Sequence, residues 1–341
     1  MQAPAKHTGA GRDASTAPAV AENIDCVVIG RNEGARLADC LASLKGKFRT
    51  TVYVDSGSTD GSLQVADRFG ATTVALDMNR PFTAARARNA GLSVLAASPP
   101  EFVQLIDGDC TLRETWTSAA LDFLGSNPTV AVVCGRRRER FPEASVYNRL
   151  CDREWDTALG NTTACGGDAV MRFRSLLQVG GYRDALIAGE EPELCLRLRQ
   201  AGWKIWRLNE EMTLHDANIT RFSQWARRSR RAGHAFAEGA ALHGVGPDRH
   251  WVTETRRAIG WGLVLPSVTA FLAVLSPFGL LGLLASPLQV ARLALREGAT
   301  RRDTWEFALF TTIGKFPEAF GVLACFVNSS RGQKTGIIEY G

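Results

Sequence analysis

Apolar runs alternate with amphipathic segments between residues 24 and 106, and this alternation limits the fold more than any other feature. The run IDCVVIG ends at Gly30, and the next segment places apolar residues three and four positions apart from Leu37 to Leu44. These patterns predict a strand, a tight turn and an amphipathic helix. Because the alternation then repeats, we expect an α/β domain with a largely parallel sheet.

The same patterns predict five further elements, namely strand 51–55, helix 60–69 capped by Asp60, strand 72–76, helix 82–96 and strand 102–106. In parallel sheets, ligands bind beyond the carboxyl ends of the strands. The polar residues at those ends are Asn32 and Glu33, 55–60 and 107–109. The sequence therefore predicts a ligand site at this edge, and the acidic side chains favour one that includes a cation.

Two acidic segments carry chemical signals. In QLIDGD, a buried strand delivers Asp107 and Asp109, which point the same way because one residue separates them. Paired carboxylates suit a hard divalent cation that also holds a diphosphate. In VDSGSTDG, Asp55 and Ser56 are suited to hydrogen-bonding a base or a ribose. A plain turn is the alternative for both segments.

Three later features are weaker on their own. Arg88 in RARNAG suits a phosphate or base, or a solvated helix face. The segment GEEPELCLRLR places Glu190, Glu191 and Glu193 near a helix N-terminus, where the helix dipole favours carboxylates. One that faces a pocket can also serve as a general base. His215 follows an extended stretch and is either structural or a metal ligand.

The order of the motifs is more specific than any one of them. The chain carries VVIGRNEGARLADCLASL, VYVDSGSTDGS, ARARNAGL, QLIDGDC, GGDAVMRFRSLLQVGGY and GEEPELCLRLRQAGW, followed by His215. This succession, over residues 24–215, resembles the family 2 glycosyltransferases. The resemblance implies a GT-A fold, which is a Rossmann-like, mostly parallel sheet flanked by helices.

The resemblance also implies a reaction. It is that of an inverting hexosyltransferase, in which a nucleotide-sugar donor passes its sugar to a hydroxyl of a lipid-linked or cell-envelope glycan acceptor, with Mg²⁺ or Mn²⁺ on the diphosphate. The implied donor-binding residues are Asn32, Glu33, Asp55, Ser56, Arg88, Asp107 and Asp109. The implied metal ligands are Asp109 and His215. The implied sugar and acceptor pocket is Gly166, Gly167, Asp168 and Trp203. The implied base is Glu191, with Glu190 and Glu193 as alternatives.

The chain departs from the family pattern at two positions. Ser56 stands where many members have a second Asp, which leaves the nucleotide open. Glu191 stands where an Asp is usual, and its side chain is one methylene longer.

Other enzyme classes fit less well. The turn GRNEG lacks the glycine pattern of a dinucleotide oxidoreductase, and no Walker phosphate-binding loop occurs. A sugar nucleotidyltransferase should show a basic, glycine-rich loop near the first strand, which this sequence does not have. A catalytically silent, membrane-bound subunit that binds nucleotide-sugar is the alternative from another class.

The C-terminal third contains an uncharged run from 258 to 291. Its 34 residues exceed the roughly 20 that cross a bilayer, but two crossings need about 40. We expect either one tilted span or a re-entrant hairpin broken at Pro266 or Pro277, and arginines on both flanks favour a hairpin with both ends in the cytoplasm. Segment 305–327 carries charges, so we expect it to lie along the interface. Buried helices of a soluble domain are the alternative.

Basic residues are concentrated in a segment that begins at 221, although the net charge is only +5. Arg227, Arg228, Arg230 and Arg231 alternate with aromatic residues, which suits an anionic membrane surface or the diphosphate of a lipid-linked acceptor better than nucleic acid. A solvated helix face is the alternative. The processive motif Gln-x-x-Arg-Trp is absent here, which favours transfer of a single sugar.

These features divide the chain into five parts. We predict a disordered tail (1–22), a catalytic domain (23–218), a basic amphipathic helical segment (219–257), a membrane-inserted or re-entrant segment (258–291) and an interfacial helix with a C-terminal tail (292–341). Eight dispersed cysteines indicate a reducing compartment. We therefore expect the protein at the cytoplasmic face of the inner (plasma) membrane, and the sequence leaves its oligomeric state open.

Overall fold

The computed structural model describes residues 23–332. The predicted tail 1–22 and the end of segment 292–341 lie outside the described residues. The strands are β1 (Ile24–Gly30), β2 (Thr51–Asp55), β3 (Thr72–Ala75), β4 (Phe102–Asp107), β5 (Cys110–Leu112), β6 (Val130–Glu139), β7 (Gly160–Thr162), β8 (Ala169–Arg172) and β9 (Lys204–His215).

Thirteen helices accompany these strands in the described part of the chain. Seven belong to the first two thirds, and they are α1 (Ala35–Leu44), α2 (Ser62–Arg68), α3 (Ala84–Leu95), α4 (Trp116–Ser126), α5 (Val146–Glu154), α6 (Phe173–Gln178) and α7 (Glu190–Gln200). Six follow, and they are α8 (Phe222–His243), α9 (Val252–Ile259), α10 (Leu265–Leu275), α11 (Ala285–Arg296), α12 (Arg302–Ile313) and α13 (Lys315–Ser330).

All strands join one sheet in the order β3-β2-β1-β4-β8-β6-β9-β5, with β7 beside β9. The half from β3 to β4 is parallel, as the strand and helix alternation predicts. The other half is mixed, because β8 runs antiparallel to both β4 and β6. The result is a mixed α/β fold, as the resemblance to GT-A enzymes implies, with apolar helices in the C-terminal part of the described chain.

Hydrophobic burial explains why the first strands and helices form where they do. Strand β1 is buried along almost its whole length, because helices cover both faces of the sheet. Helix α1 buries the stripe Leu37, Cys40, Leu41 and Leu44, as its spacing predicts. Helix α3 approaches the sheet closely at Gly91, where a side chain would collide with Val27. Helix α2 begins at Ser62 rather than at 60, since Asp60 accepts a hydrogen bond from the Ser62 amide outside the helix.

The C-terminal helices pack through glycines. A side chain at Gly233 of α8 would collide with the backbone of Glu318 in α13, and one at Gly321 of α13 would collide with the Arg230 carbonyl. Gly262 meets the backbone of Lys315 in the same way. Small residues at these positions let α8 and α13 approach to backbone contact.

Residues 258–291 form a helical hairpin. The first arm runs from α9 through a π-helical turn (Gly260–Val264) into α10, so the helix continues past Pro266. The chain turns at Ser276 and Pro277, and a 3₁₀ segment (Pro277–Leu284) leads into α11. Widening of the turn before Pro266 accommodates a residue that has no amide hydrogen to donate.

Three helical segments of the described chain are long and apolar enough to cross a membrane, namely Val252–Leu275, Pro277–Arg296 and Arg302–Ser330. Within the most apolar 18-residue window of each segment, only 17% of Val252–Leu275 and 6% of Pro277–Arg296 is buried. Most of the hairpin is therefore not buried within the described chain, unlike the core helices that the soluble-domain alternative requires. Phe271, Val274 and Phe278 near its tip are 65%, 85% and 79% exposed.

Candidate active site

The carboxyl ends of the parallel strands bring the predicted polar segments to one edge of the sheet. Gly30 of β1 is in register with Asp55 of β2, and Ile29 is in register with Asp107 of β4. Asn32, which follows β1, therefore lies beside the turn after Asp55. The residues collected at this edge are those that the sequence patterns singled out.

Asp55 shapes the turn that follows β2. Its Oδ2 accepts hydrogen bonds from the amides of Gly57 (2.9 Å) and Ser58 (2.8 Å), and its Oδ1 accepts one from the Tyr53 hydroxyl (3.0 Å). Ser56 is buried, and its amide donates to the carbonyl of Gly30. The Asp55 carboxylate thus holds the backbone of the turn in one conformation.

Asn32 joins this turn to the loop after β1. The backbone amide of Asn32 donates to the Ser58 hydroxyl (2.9 Å), and its side-chain Oδ1 accepts from the Thr59 backbone amide (2.8 Å). The adjacent Glu33 forms an ion pair with Arg36 (2.8 Å). Burial and the neighbouring Asp109 carboxylate raise the pKa of Glu33 to about 7. The two loops form one connected rim.

Asp109 and His215 meet because β5 and β9 are antiparallel neighbours, with Cys110 in register with His215. The His215 Nε2 lies 3.3 Å from an Asp109 carboxylate oxygen, and its Nδ1 lies 3.9 Å from Glu139. Burial lowers the pKa of His215, but the Asp109 carboxylate outweighs this and raises it to about 9. Burial opposes ionisation of Asp109, yet His215 holds its pKa well below the usual range.

This pair has the geometry of two ligands of one cation. Asp109, His215 and the buried Cys110 each offer a ligand atom within 4.8 Å of the others. Among the described residues, the buried Nδ1 of His215 forms no hydrogen bond, and the Glu139 carboxylate lies 3.9 Å from it, on the side where a carboxylate can orient a metal-bound imidazole. The carboxylate oxygens of Asp109 are ligands of the kind that Mn²⁺ and Mg²⁺ prefer.

Arg88 joins the strand-end carboxylates to helix α7. Its guanidinium lies 2.9 Å from Asp107, 2.9 Å from Glu190 and 2.8 Å from Glu191. Arg88 is buried, so these are strong, poorly screened ion pairs. The side chain of its neighbour Asn89 forms two hydrogen bonds with the backbone of Tyr182, and these connect α3 to the loop that contains Tyr182.

The three glutamates of α7 have different surroundings. Glu193 is held by Arg183, Arg197 and His243, and these hydrogen bonds outweigh burial and lower its pKa. Burial, with help from Glu190, raises the pKa of Glu191 to about 7 despite its contact with Arg88. The Glu191 side chain is also more exposed than that of Glu190, 14% against 5%.

The loop before β8 closes the site. Asp168 accepts hydrogen bonds from the Asp107 amide (3.1 Å) and the Thr213 hydroxyl (2.7 Å). At Gly167 an added Cβ would lie 2.6 Å from an Asp107 oxygen and 2.7 Å from an Arg88 nitrogen, whereas at Gly166 it would meet nothing within 4 Å. A side chain at position 167 would therefore displace the ends of Arg88 and Asp107, which are in contact with each other.

Sequence reasoning missed Arg137. This half-buried guanidinium lies 2.9 Å from Asp168 and 3.4 Å from Asp107, and it lies over the Trp155 ring at 5.5 Å. Two arginines, 88 and 137, thus flank Asp107. The arginine run at 136–140 is visible in the sequence. Side chains alternate between the two faces of a strand, and this strand ends at the same edge as β4, so the alternation is the signal that could have identified Arg137.

Trp203 does not lie with the other predicted residues. It precedes β9 at the end where Lys204 pairs with Val130, which is the opposite edge of the sheet. Its Nε1 donates to Gln178 (2.8 Å), and Arg174 lies over its ring. The structure therefore does not place Trp203 in a pocket shared with residues 166–168.

The arginines of α8 are divided between two environments. Arg228 forms an ion pair with Glu154 (2.7 Å), and Arg231 donates to the carbonyl of Ile187 (3.1 Å), close to the start of α7. Arg227 and Arg230 are exposed. Part of the basic cluster therefore holds α8 against the catalytic domain.

Comparisons with known proteins agree with this geometry. The family model "Glycosyl transferase family 2" matches residues 25–180. The pre-mycofactocin glycosyltransferase of Mycobacterium tuberculosis is 28% identical over 240 residues, which cover 67% of this chain and 49% of that protein. The succinoglycan biosynthesis protein ExoA of Rhizobium meliloti is 25% identical over 167 residues, which cover 46% of this chain and 50% of that protein. The chain thus spans about half the length of these curated relatives.

A solved structure shows the same fold. The mannosyltransferase PcManGT from Pyrobaculum calidifontis, in complex with GDP-Man and Mn²⁺, superimposes with a TM-score of 0.58 at 18% identity. The match covers 88% of this chain and 89% of that one. From its motifs, its sheet and these relatives, residues 25–180 of the chain match the family 2 glycosyltransferases, and the chain has a GT-A fold.

Proposed function

We propose that this protein transfers a single hexose from a nucleotide-sugar to a hydroxyl of a lipid-linked or cell-envelope glycan, with inversion at the anomeric carbon. The observation that carries the proposal is the buried network around Arg88, which joins Asp107 at the strand ends to Glu190 and Glu191 on α7. Donor-binding and base positions are thereby adjacent.

Asp109 and His215 would hold Mg²⁺ or Mn²⁺, which neutralises the diphosphate as it departs. The bound Mn²⁺ and GDP-Man of the Pyrobaculum mannosyltransferase support this assignment. The rim formed by Asn32, Asp55 and Ser56 would take the nucleoside, with Glu33 behind it. Arg88 and Arg137 are placed to attract the donor phosphates.

Glu191 is the proposed base. A group that takes a proton from a sugar hydroxyl works best with a pKa near the working pH, and that of Glu191 is about 7. Glu193 is unsuited because the side chains of Arg183, Arg197 and His243 hold it. Direct attack by the activated hydroxyl, opposite the leaving diphosphate, inverts the anomeric carbon. Gly166, Gly167 and Asp168 line the proposed sugar pocket.

The hairpin supports a membrane-bound acceptor. Exposed apolar side chains of its first arm extend from Val264 to Leu275, roughly 17 Å of helix. The hydrocarbon core of a bilayer is about 30 Å thick, so this length fits insertion into one leaflet. Arg292 and Arg296 follow the hairpin, which favours the cytoplasmic face. The relative from succinoglycan biosynthesis is consistent with an envelope or exopolysaccharide glycan.

Transfer from a panel of nucleotide-sugars, with and without Mn²⁺ and with membrane lipid extract, tests the proposal. We expect metal-dependent release of one nucleoside diphosphate, and Asp109→Ala and Glu191→Gln should each lower it by at least about a hundredfold. Donor binding without turnover under every lipid condition, unaffected by Glu191→Gln, would instead identify a catalytically silent subunit.

A further inference from the structure

A cleft of about 510 Å³ lies at the base of the hairpin, outside the catalytic site. Arg256, Arg257, Gly260, Trp261 and Leu265 line it from the first arm, and Ala285 lines it from the second. The cleft thus combines two guanidinium groups and an indole with an apolar floor. None of these residues belongs to the network around Arg88.

The positive charge of this cleft is not neutralised by neighbouring side chains. Arg256 and Arg257 are both exposed, and within residues 23–332 neither forms an ion pair. Glu254, on the same helix, is not within ion-pair distance of either one. Elsewhere in the C-terminal half, Arg228 is paired with Glu154 and Arg302 with Glu306. The cleft is therefore suited to an anion from outside the chain.

The lining residues change in character along the helix. Arg257, Trp261 and Leu265 are four residues apart, so they lie on one face in the order basic, aromatic, aliphatic. The uncharged run begins at 258, directly after the arginines, and exposed apolar residues begin at Val264. Tryptophan and arginine at such a boundary lie at the depth of lipid head groups.

The backbone keeps the cleft open at its centre. Gly260 starts the π-helical turn, and a Cβ added there would meet no atom within 4 Å. A side chain at this position would therefore fill the cleft without disturbing a packed neighbour. π-Helical turns inside helices frequently occur at functional sites.

We propose that this cleft binds the phosphate group of an anionic membrane lipid. Arg256 and Arg257 hold the phosphate oxygens through charge-assisted hydrogen bonds, and Trp261 lies at the level of the lipid backbone. The lipid tail runs along Leu265 and Ala285 towards the apolar tip. This site is separate from the arginines of α8 and does not depend on glycosyl transfer.

Vesicle binding by the full chain tests the proposal. Vesicles of phosphatidylcholine alone are compared with vesicles that also contain phosphatidic acid, and we expect tighter binding to the second. The double variant Arg256→Gln with Arg257→Gln should lose most of that preference, roughly thirtyfold in affinity. The matched control, Arg68→Gln with Lys45→Gln, removes two exposed charges from the catalytic domain and should keep the preference.

The variant Gly260→Leu distinguishes binding in the cleft from general attraction by surface charge. It keeps both arginines but fills the cleft, so it should bind phosphatidylcholine normally and lose the preference for phosphatidic acid. Retained preference in Gly260→Leu, or equal loss in the charge control, would overturn the proposal. Inorganic phosphate is the competitor, and full displacement of the chain by it would show a site for free phosphate rather than for a lipid.

Discussion

Arg88 is the residue on which the catalytic network depends most. Three carboxylates, those of Asp107, Glu190 and Glu191, lie within 2.9 Å of its guanidinium. In a buried site, removal of the cation would leave these negative charges to repel one another, at a cost of about 3–5 kcal/mol. The same repulsion between Glu190 and Glu191 contributes to the raised pKa of Glu191.

The raised pKa of Glu191 predicts a pH dependence. Its carboxyl is protonated below about 7, and a base must be deprotonated, so kcat/KM should fall about tenfold per pH unit as the pH drops below 7. At an ordinary glutamate pKa, no fall would occur between pH 6 and 7. Initial rates from pH 5.5 to 8.5, at saturating metal, measure this limb.

Two variants identify the group that titrates. Glu191→Gln should lower kcat by about 10²–10⁴ and leave donor affinity nearly unchanged, because only proton transfer is lost. Glu191→Asp, which restores the residue usual in the family, should keep a base and should still show a fall in kcat/KM at low pH. If Glu191→Gln retained both the rate and its fall below pH 7, another group would be the base.

Among the elements, the loop before β8 places a glycine directly against the network around Arg88. Gly167 lies against Asp107 and Arg88, whereas Gly166 faces open space. Asp168 holds the loop to β4 and β9 through the Asp107 amide and the Thr213 hydroxyl. A small displacement of this loop would therefore separate Arg88 from Asp107.

Alanine substitutions in this loop should have unequal effects. Gly167→Ala should lower kcat/KM by about a hundredfold, because a displacement of about 1 Å in a catalytic site has that effect. Gly166→Ala is the matched control and should keep near-normal activity. Thermal unfolding should change little in both, and similar losses of activity in both would contradict the steric argument.

At the scale of the whole molecule, the exposed hairpin and the catalytic domain are joined by α8 and α13. The glycine contacts of Gly233 and Gly321 hold these helices at backbone distance. Trp251, between α8 and α9, packs under Gly189, which is the residue before α7. Because Trp251 directly precedes α9, the first arm of the hairpin is thus connected to the start of the element that carries Glu191.

Insertion of the hairpin predicts that charges near its tip release the protein from membranes. Val274→Glu with Leu281→Glu places two carboxylates in the apolar region and should weaken vesicle binding by at least about a hundredfold. Phe69→Glu with Val94→Glu, at exposed apolar residues of the catalytic domain, is the control. Flotation on phosphatidylcholine vesicles measures both, and equal release by the control pair would contradict insertion.

Local patterns determined the elements of the parallel half of the sheet and the polar residues at its edge. Asp55, Asp107 and Asp109 follow strands whose apolar runs are readable without a structure, since burial and backbone geometry act over a few residues. The apolar run 258–291 is equally visible, because an uncharged run of that length is poorly solvated, but the sequence left both a single tilted span and a hairpin open. Of the two proline positions, the sequence did not decide which one turns the chain, and the π-helical turn explains why Pro266 does not.

Only the tertiary structure decided which of these residues meet. His215 reaches Asp109 because β5 and β9 pair across more than a hundred residues of sequence, and Arg137 reaches Asp107 through the β6 position in the same sheet. It also separated Glu191 from Glu193 and placed Trp203 at the opposite edge. Strand pairing and ion pairing act between distant segments, so their partners are set by packing and not by the pattern around each residue.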